Sequence, residues 1–231
     1  MHFRKLPQGF LIVSCRSLRR ARLLAWALAV SATVGLAQGE TVSGRLTYTK
    51  VLKGSLPEYM SITVDASGEG VYEGRQLDEA PQPRPLRFSP GTTRRLFELT
   101  RALNYFRSID LESRRKVANL GQKTLVYEGN RQRNQVQFNY SLRREAQELS
   151  DLFDRIATVQ EHIAVLQHAI KYDHLSLPKE LMQIQRDLDK RSLADPQLMV
   201  PVLERIARNP RFLHLAQVRA QNILTRLQNN D

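Results

Sequence analysis

Between Ser141 and Tyr172, apolar residues recur at alternating steps of four and three. Leu152, Ile156, Val159, Ile163, Leu166 and Ile170 share one helical face. Leu142, Ala146, Leu149, Phe153 and Ile156 form a second stripe, offset from the first. The spacing predicts one long helix buried twice, against β-structure before it and helices after it. Ile163 and Leu166 are expected in its core.

Upstream, the apolar period is two. Residues 42–53 carry β-branched and aromatic residues without helical spacing, and 59–65 alternate Met60, Ile62 and Val64 with polar partners. Asp65 to Gly68 is a turn signal: Asp closes its own turn and Gly supplies positive φ. A returning strand is expected over 71–76 and a short edge strand at 86–88. Ser89-Pro90 pairs an N-cap with a residue pre-shaped for the first helical turn. Leu96, Leu99, Leu103 and Phe106 then give one buried face. Residues 107–121 are polar and irregular. Residues 123–128 and 134–140 form a second hairpin around Gly129-Asn130, with Val136, Phe138 and Tyr140 on its dry side.

After the long helix come three shorter helical stretches, opened by Ser176-Leu177-Pro178, Asp195-Pro196 and Asn209-Pro210. Pro201 marks a kink or a late start in the second. Strands bunched before helices predict an α+β fold: a mostly antiparallel sheet packed by helices, one long central helix, then a C-terminal helical bundle. The expected organisation is a leader over 1–37, a sheet domain over 38–141, the connecting helix over 142–172 and a helical region over 173–231.

The leader changes the picture. Residues 1–37 hold six basic side chains and no acid, then an apolar run from Leu23 to Ala37. Gly35 and Ala37 suit the small positions before a signal-peptidase cut, so cleavage is expected after Ala37. The apolar run falls short of the ~20 residues that span a bilayer. A retained N-terminal anchor is the alternative; after cleavage no stable membrane span is expected. Arg19-Arg20 lacks the register of a twin-arginine signal, because Arg22 falls where apolar residues should begin. The apolar run before Cys15 is too short for a lipoprotein site. Cys15 and Trp26 lie in the leader, so the mature chain has neither residue type, and no disulfide or thiol chemistry is open to it. Such a chain fits a bacterial periplasm or envelope better than a disulfide-dependent secreted setting.

Charge is unevenly spread. Residues 107–144 hold nine basic and three acidic side chains, whereas the segments before and after nearly balance. Arg114, Arg115, Lys116, Arg131 and Arg133 are therefore the candidate binding residues of a basic patch for an anionic partner; Arg107, Lys123, Arg143 and Arg144 belong to the same segment. Catalytic signals are weak. Gly68, Gly70 and Gly74 lack the following helix of a dinucleotide fingerprint. His162, His168, His174 and His214 show no metal-binding spacing, and His174 suits the negative end of the long helix. Asp151 with Asp154, and Asp187 with Asp189, fit a solvated face beside Arg155 and Arg186. No cofactor or metal is called for. The expected function is an exported, non-enzymatic binding or structural protein meeting an anionic envelope component or a protein partner. The alternative is an exported hydrolase acting on a cell-wall polymer. A third reading is a scaffold whose helical tail binds proteins. The export signal argues against nucleic acid as the partner.

Intact-mass measurement on exported material should find a new N-terminus near Gln38; a full-length, membrane-retained product would establish the anchor instead.

Overall fold

A computed structural model describes residues 44–129 and 131–229. The leader expected over 1–37 lies outside the described residues. Six strands form one antiparallel sheet: β1 (Gly44–Val51), β2 (Tyr59–Asp65), β3 (Glu69–Arg75), β4 (Arg84–Arg87), β5 (Gln122–Gly129) and β6 (Gln132–Phe138), in the order β4-β3-β2-β1-β5-β6. The fold is α+β, as the bunched strands predict. The β2–β3 turn closes through Asp65, whose Oδ1 accepts from the amides of Ser67 and Glu69, and Gly68 takes φ +84°. The expected strand at 71–76 starts two residues earlier and the edge strand is Arg84–Arg87. Gly44 and Gly129 face each other in register, and the Tyr127 ring lies over both where side chains would collide with it.

Helix α1 (Pro90–Ala102) starts as the Ser89-Pro90 pair predicts, with Ser89 Oγ accepting from the Thr92 amide at 3.2 Å. The Ser89 amide in turn donates to Asp195, 106 residues away, at 2.8 Å. Helix α2 (Arg144–Tyr172) is the long helix. Helices α3 (Leu177–Asp189), α4 (Val200–Arg208) and α5 (His214–Gln228) complete the tail. A 3-10 turn over Pro196–Met199 precedes α4, so Pro201 sits in the first turn of a late-starting helix. The third stretch begins at His214 rather than at Asn209. Asn209 instead accepts from the Arg211 amide and closes a turn that seats Phe212 in the core.

Two apolar cores meet along α2. Ala146, Leu149, Phe153 and Ile156 join the sheet and α1, and Phe153 stacks on Tyr48 at 4.8 Å. Val159, Leu166, Ala169 and Ile170 join α3, α4 and α5. Leu142 departs from expectation: it precedes the first helical turn and stays exposed. Leu166 is fully buried, but Ile163 is only partly so. At ~100° per residue, Val159, Leu166, Ala169 and Ile170 span a ~100° arc, and Ile163 lies about 20° beyond its edge.

Leu166→Ala should destabilise by about 2–5 kcal/mol in denaturant unfolding. Ile163→Ala should cost clearly less, and Val165→Ala, at an exposed position, should stay within about 0.5 kcal/mol.

Candidate functional site

The helix-facing side of the sheet is apolar except at one end. Lys50 of β1 and Lys123 of β5 are directly paired in register, on the same face as Tyr48 and Leu125. Like charges at directly opposed strand positions are unfavourable, and both lysines find partners. Lys50 Nζ donates to Asp154 Oδ2 of α2 at 2.7 Å, and Tyr48 donates its hydroxyl to Asp154 Oδ1 at 3.2 Å. Burial, then the Asp154 charge and hydrogen bond, push the Tyr48 hydroxyl far above its ordinary range. Lys123 is buried, and its Nζ donates to the Asn139 carbonyl at 2.7 Å. Desolvation, then the nearby Lys50 charge, hold the Lys123 amine below the usual lysine range, against the pull of Asp154, Asp151 and Glu112.

These residues border a trench between α2 and the end of the sheet. Its larger chamber, about 530 Å³, is lined by Lys50, Lys123 and Phe138 from the sheet and by Gln147, Ser150 and Asp151 from α2. Leu120 and Asn119 of the irregular loop close one side. A smaller chamber of about 200 Å³ continues along α2 past Thr158 to Glu161, beneath the β1–β2 loop. Lys50 and Asp154 line both chambers, so their ion pair stands between them. Partial desolvation, then the Asp154 charge, lifts the carboxyl of Glu161, which is exposed at the end of the smaller chamber, above its usual range, with Lys50 opposing. The Tyr72 hydroxyl nearby is pushed up to about 12 by burial and then by Glu161.

Of the acids expected on a solvated face, Asp151 and Asp189 are exposed, whereas Asp154 and Asp187 are half-buried and engaged within the fold. Asp154 binds the sheet, and Arg155 donates to the Leu193 carbonyl instead of pairing with an acid. Asp187 likewise meets His162 at 3.1 Å between α3 and α2. His174 accepts the role expected at the end of α2, its Nε2 lying 2.6 Å from the Ile170 carbonyl. Trench carboxylates Asp151, Asp154 and Glu161 all come from the helix wall. Across from them, Glu58 is engaged by the Gly54 amide at 2.7 Å.

The five basic residues expected to bind are all exposed, but they fall into two places. Arg114, Arg115 and Lys116 lie in the loop fastened to the end of β6 by Ser113 N to Tyr140 O, and by the Asn139 side chain to Ala118 and Leu120. Arg131 and Arg133 lie at the hairpin tip, where Arg133 pairs with Glu128 and Arg107 contacts Gln132. Seven strand residues at ~3.4 Å each put roughly 20 Å between the two groups. Arg143 and Arg144 open α2 beside the first group. Lys123, in the same basic segment, is a trench residue rather than a surface charge.

The trench was not anticipated from the sequence, although a signal existed. Gln147, Asp151, Asp154, Thr158 and Glu161 are spaced four, three, four and three, a polar stripe beside the apolar one. Among the described residues no group of His, Cys, Asp or Glu could hold a metal ion, and no helix is long and apolar enough to cross a membrane. No protein-family model matches the chain, nor does any curated protein or solved structure.

Asp154→Ala should cost about 1–3 kcal/mol, because it leaves the Tyr48 hydroxyl and Lys50 without their shared acceptor. The raised Glu161 carboxyl carries a penalty only when charged. Glu161→Gln should therefore match the parent well below pH 4.5 and exceed it in denaturation midpoint at neutral pH.

Proposed function

We propose that this is an exported, non-enzymatic binding protein, and that the trench under α2 receives an anionic component of the cell envelope. The observation that carries this reading is the pair of lysines set in direct register on the helix-facing side of the sheet, at the mouth of an open chamber. An acid group entering there would find Lys50 Nζ by displacing Asp154, and Lys123 behind it. The loop basics Arg114, Arg115 and Lys116 stand beside the chamber and would draw such a ligand toward it. Arg131 and Arg133 would contribute only at long range, where salt screens charges beyond ~8 Å.

Hydrolysis of a cell-wall polymer is the weaker reading. Glycoside cleavage needs two acids facing each other across the bond. The trench acids share one helix wall, and Glu58 opposite holds a backbone amide. A carboxylate set on one side with amines on the other suits recognition of a charged group better than cleavage.

Retention on anionic envelope extracts tests the proposal. Lys50→Met should weaken it more than about tenfold, the loss of one charge-assisted hydrogen bond, with a near-parental melting temperature. Lys50→Met combined with Lys123→Met should remove it. Retention that survives both replacements and high salt would overturn the reading.

A further inference from the structure

The rim of the trench carries a second pattern that the lysine pair does not explain. Val117, Leu120 and Leu142 are exposed apolar side chains, at 39%, 45% and 53% of full exposure. They are brought together by the hydrogen bonds that tie the irregular loop to Asn139 and Tyr140: Asn139 holds both Ala118 and Leu120, and Leu142 follows two residues after Tyr140. Flanking them along the chain are Arg114, Arg115, Lys116, Arg143 and Arg144, all exposed. None of the five forms an ion pair among the described residues, a trait shared with Arg131 at the hairpin tip, so it is the neighbouring apolar tips that set the rim apart. The acids within these two segments are Asp110, Glu112 and Glu145; Asp110 accepts from the Glu112 amide and Glu112 from the Asn139 amide.

Exposed leucine and valine among unpaired arginines is the composition that suits the boundary of a lipid layer. Apolar tips enter the acyl edge while guanidinium groups stay level with phosphates. Arginine fits that place because its planar fork pairs bidentately with phosphate. The rim borders the larger chamber: Leu120 belongs to both, and Ser141 between them lines the chamber wall. We propose that this rim docks the protein on a lipid surface carrying anionic headgroups. Docking would turn the mouth of the trench toward the lipid, so that an acidic group reaches Lys50 from the membrane rather than from solution. The surface goes beyond the trench reading and can fail separately from it.

Vesicle co-sedimentation tests it, with full-length protein throughout so that the N-terminal segment contributes equally to every sample. Vesicles of phosphatidylcholine alone are compared with vesicles in which phosphatidylglycerol is mixed. Arg114→Glu with Arg115→Glu should lower partitioning onto the anionic vesicles at least about tenfold. Val117→Ser with Leu142→Ser, which change no charge, should do so without altering the salt dependence of what remains. Arg131→Glu with Arg133→Glu, at the far end of the hairpin, should leave partitioning within about twofold. Circular dichroism on each variant separates loss of docking from loss of fold; for any variant that unfolds, Leu142→Ser replaces it. Equal losses from the rim and hairpin-tip reversals would overturn the proposal, as net charge alone would then account for binding. Parental partitioning by both rim variants would overturn it too, as would retention on lipid-free protein extracts without any on anionic vesicles. If rim variants lose vesicles while Lys50→Met keeps its retention on envelope extracts, docking stands and the trench reading alone is overturned.

Discussion

The whole structure depends on α2 belonging to two cores at once. Its first half gives Ala146, Leu149, Phe153 and Ile156 to the sheet, and its second half gives Val159, Leu166, Ala169 and Ile170 to the tail. At ~100° per residue the centres of the two arcs are offset by roughly 130° around the helix. The sheet and the tail helices therefore approach α2 from different sides. The first half of the helix cannot be wrapped all round, and the side left over faces the open end of the sheet. The trench is the space this offset leaves. Its polar stripe from Gln147 to Glu161 is what a helix needs on a flank that water reaches.

Polar contacts, some made by α2 itself, hold the two halves in one arrangement. The Ser89 amide at the start of α1 donates to Asp195, and Arg155 donates to the Leu193 carbonyl. Ala194 packs into the sheet core although it follows α3. The segment between α3 and α4 thus returns to the sheet domain and fixes the tail against the base of α1. His162 with Asp187 adds a half-buried tie between α2 and α3. These are hydrogen bonds of partly desolvated groups, whose loss costs more than an exposed ion pair.

Much of this fold was legible because local signals agreed. Alternation in 59–65, the Asp65–Gly68 turn, the Ser89-Pro90 start and the double stripe of α2 each reappear in the structure, within a residue or two at strand ends. Errors arose where a residue's neighbours come from far along the chain. Lys123 looks like one more surface cation until β1 sets it opposite Lys50 and Asn139 supplies its acceptor. Asp154 looks solvated until Tyr48 and Lys50, about a hundred residues away, take both its oxygens. Arg131 and Arg133 belong by sequence to the same basic segment as Arg114, yet the hairpin carries them to its opposite end. Residues 107–121 hold no periodicity to read, and it is their hydrogen bonds to Asn139 and Tyr140 that fasten them beside the trench. Neither register nor such long-range capping is written in periodicity.

Placement of Lys50 and Lys123 is where the structure departs furthest from what stability alone would select. A Leu or Val at position 123 would extend the face of Leu125 and Tyr127 and would seal the sheet under α2. Instead a desolvated amine sits there beside a second cation, with its acceptor provided by a backbone carbonyl at the end of β6. The arrangement accepts repulsion across β1 and β5 and a depressed lysine charge, and it needs Asp154 and Tyr48 to hold Lys50 in place. Folded proteins break such local rules mainly where a site demands it. The unpaired arginines and exposed apolar tips gather at the same end of the molecule, around the mouth of the same chamber. The recognition proposed above, of an acidic group at a boundary between lipid and water, would account for both the lysine pair and the rim. A purely structural role for α2 would explain its two cores and leave both features without a reason.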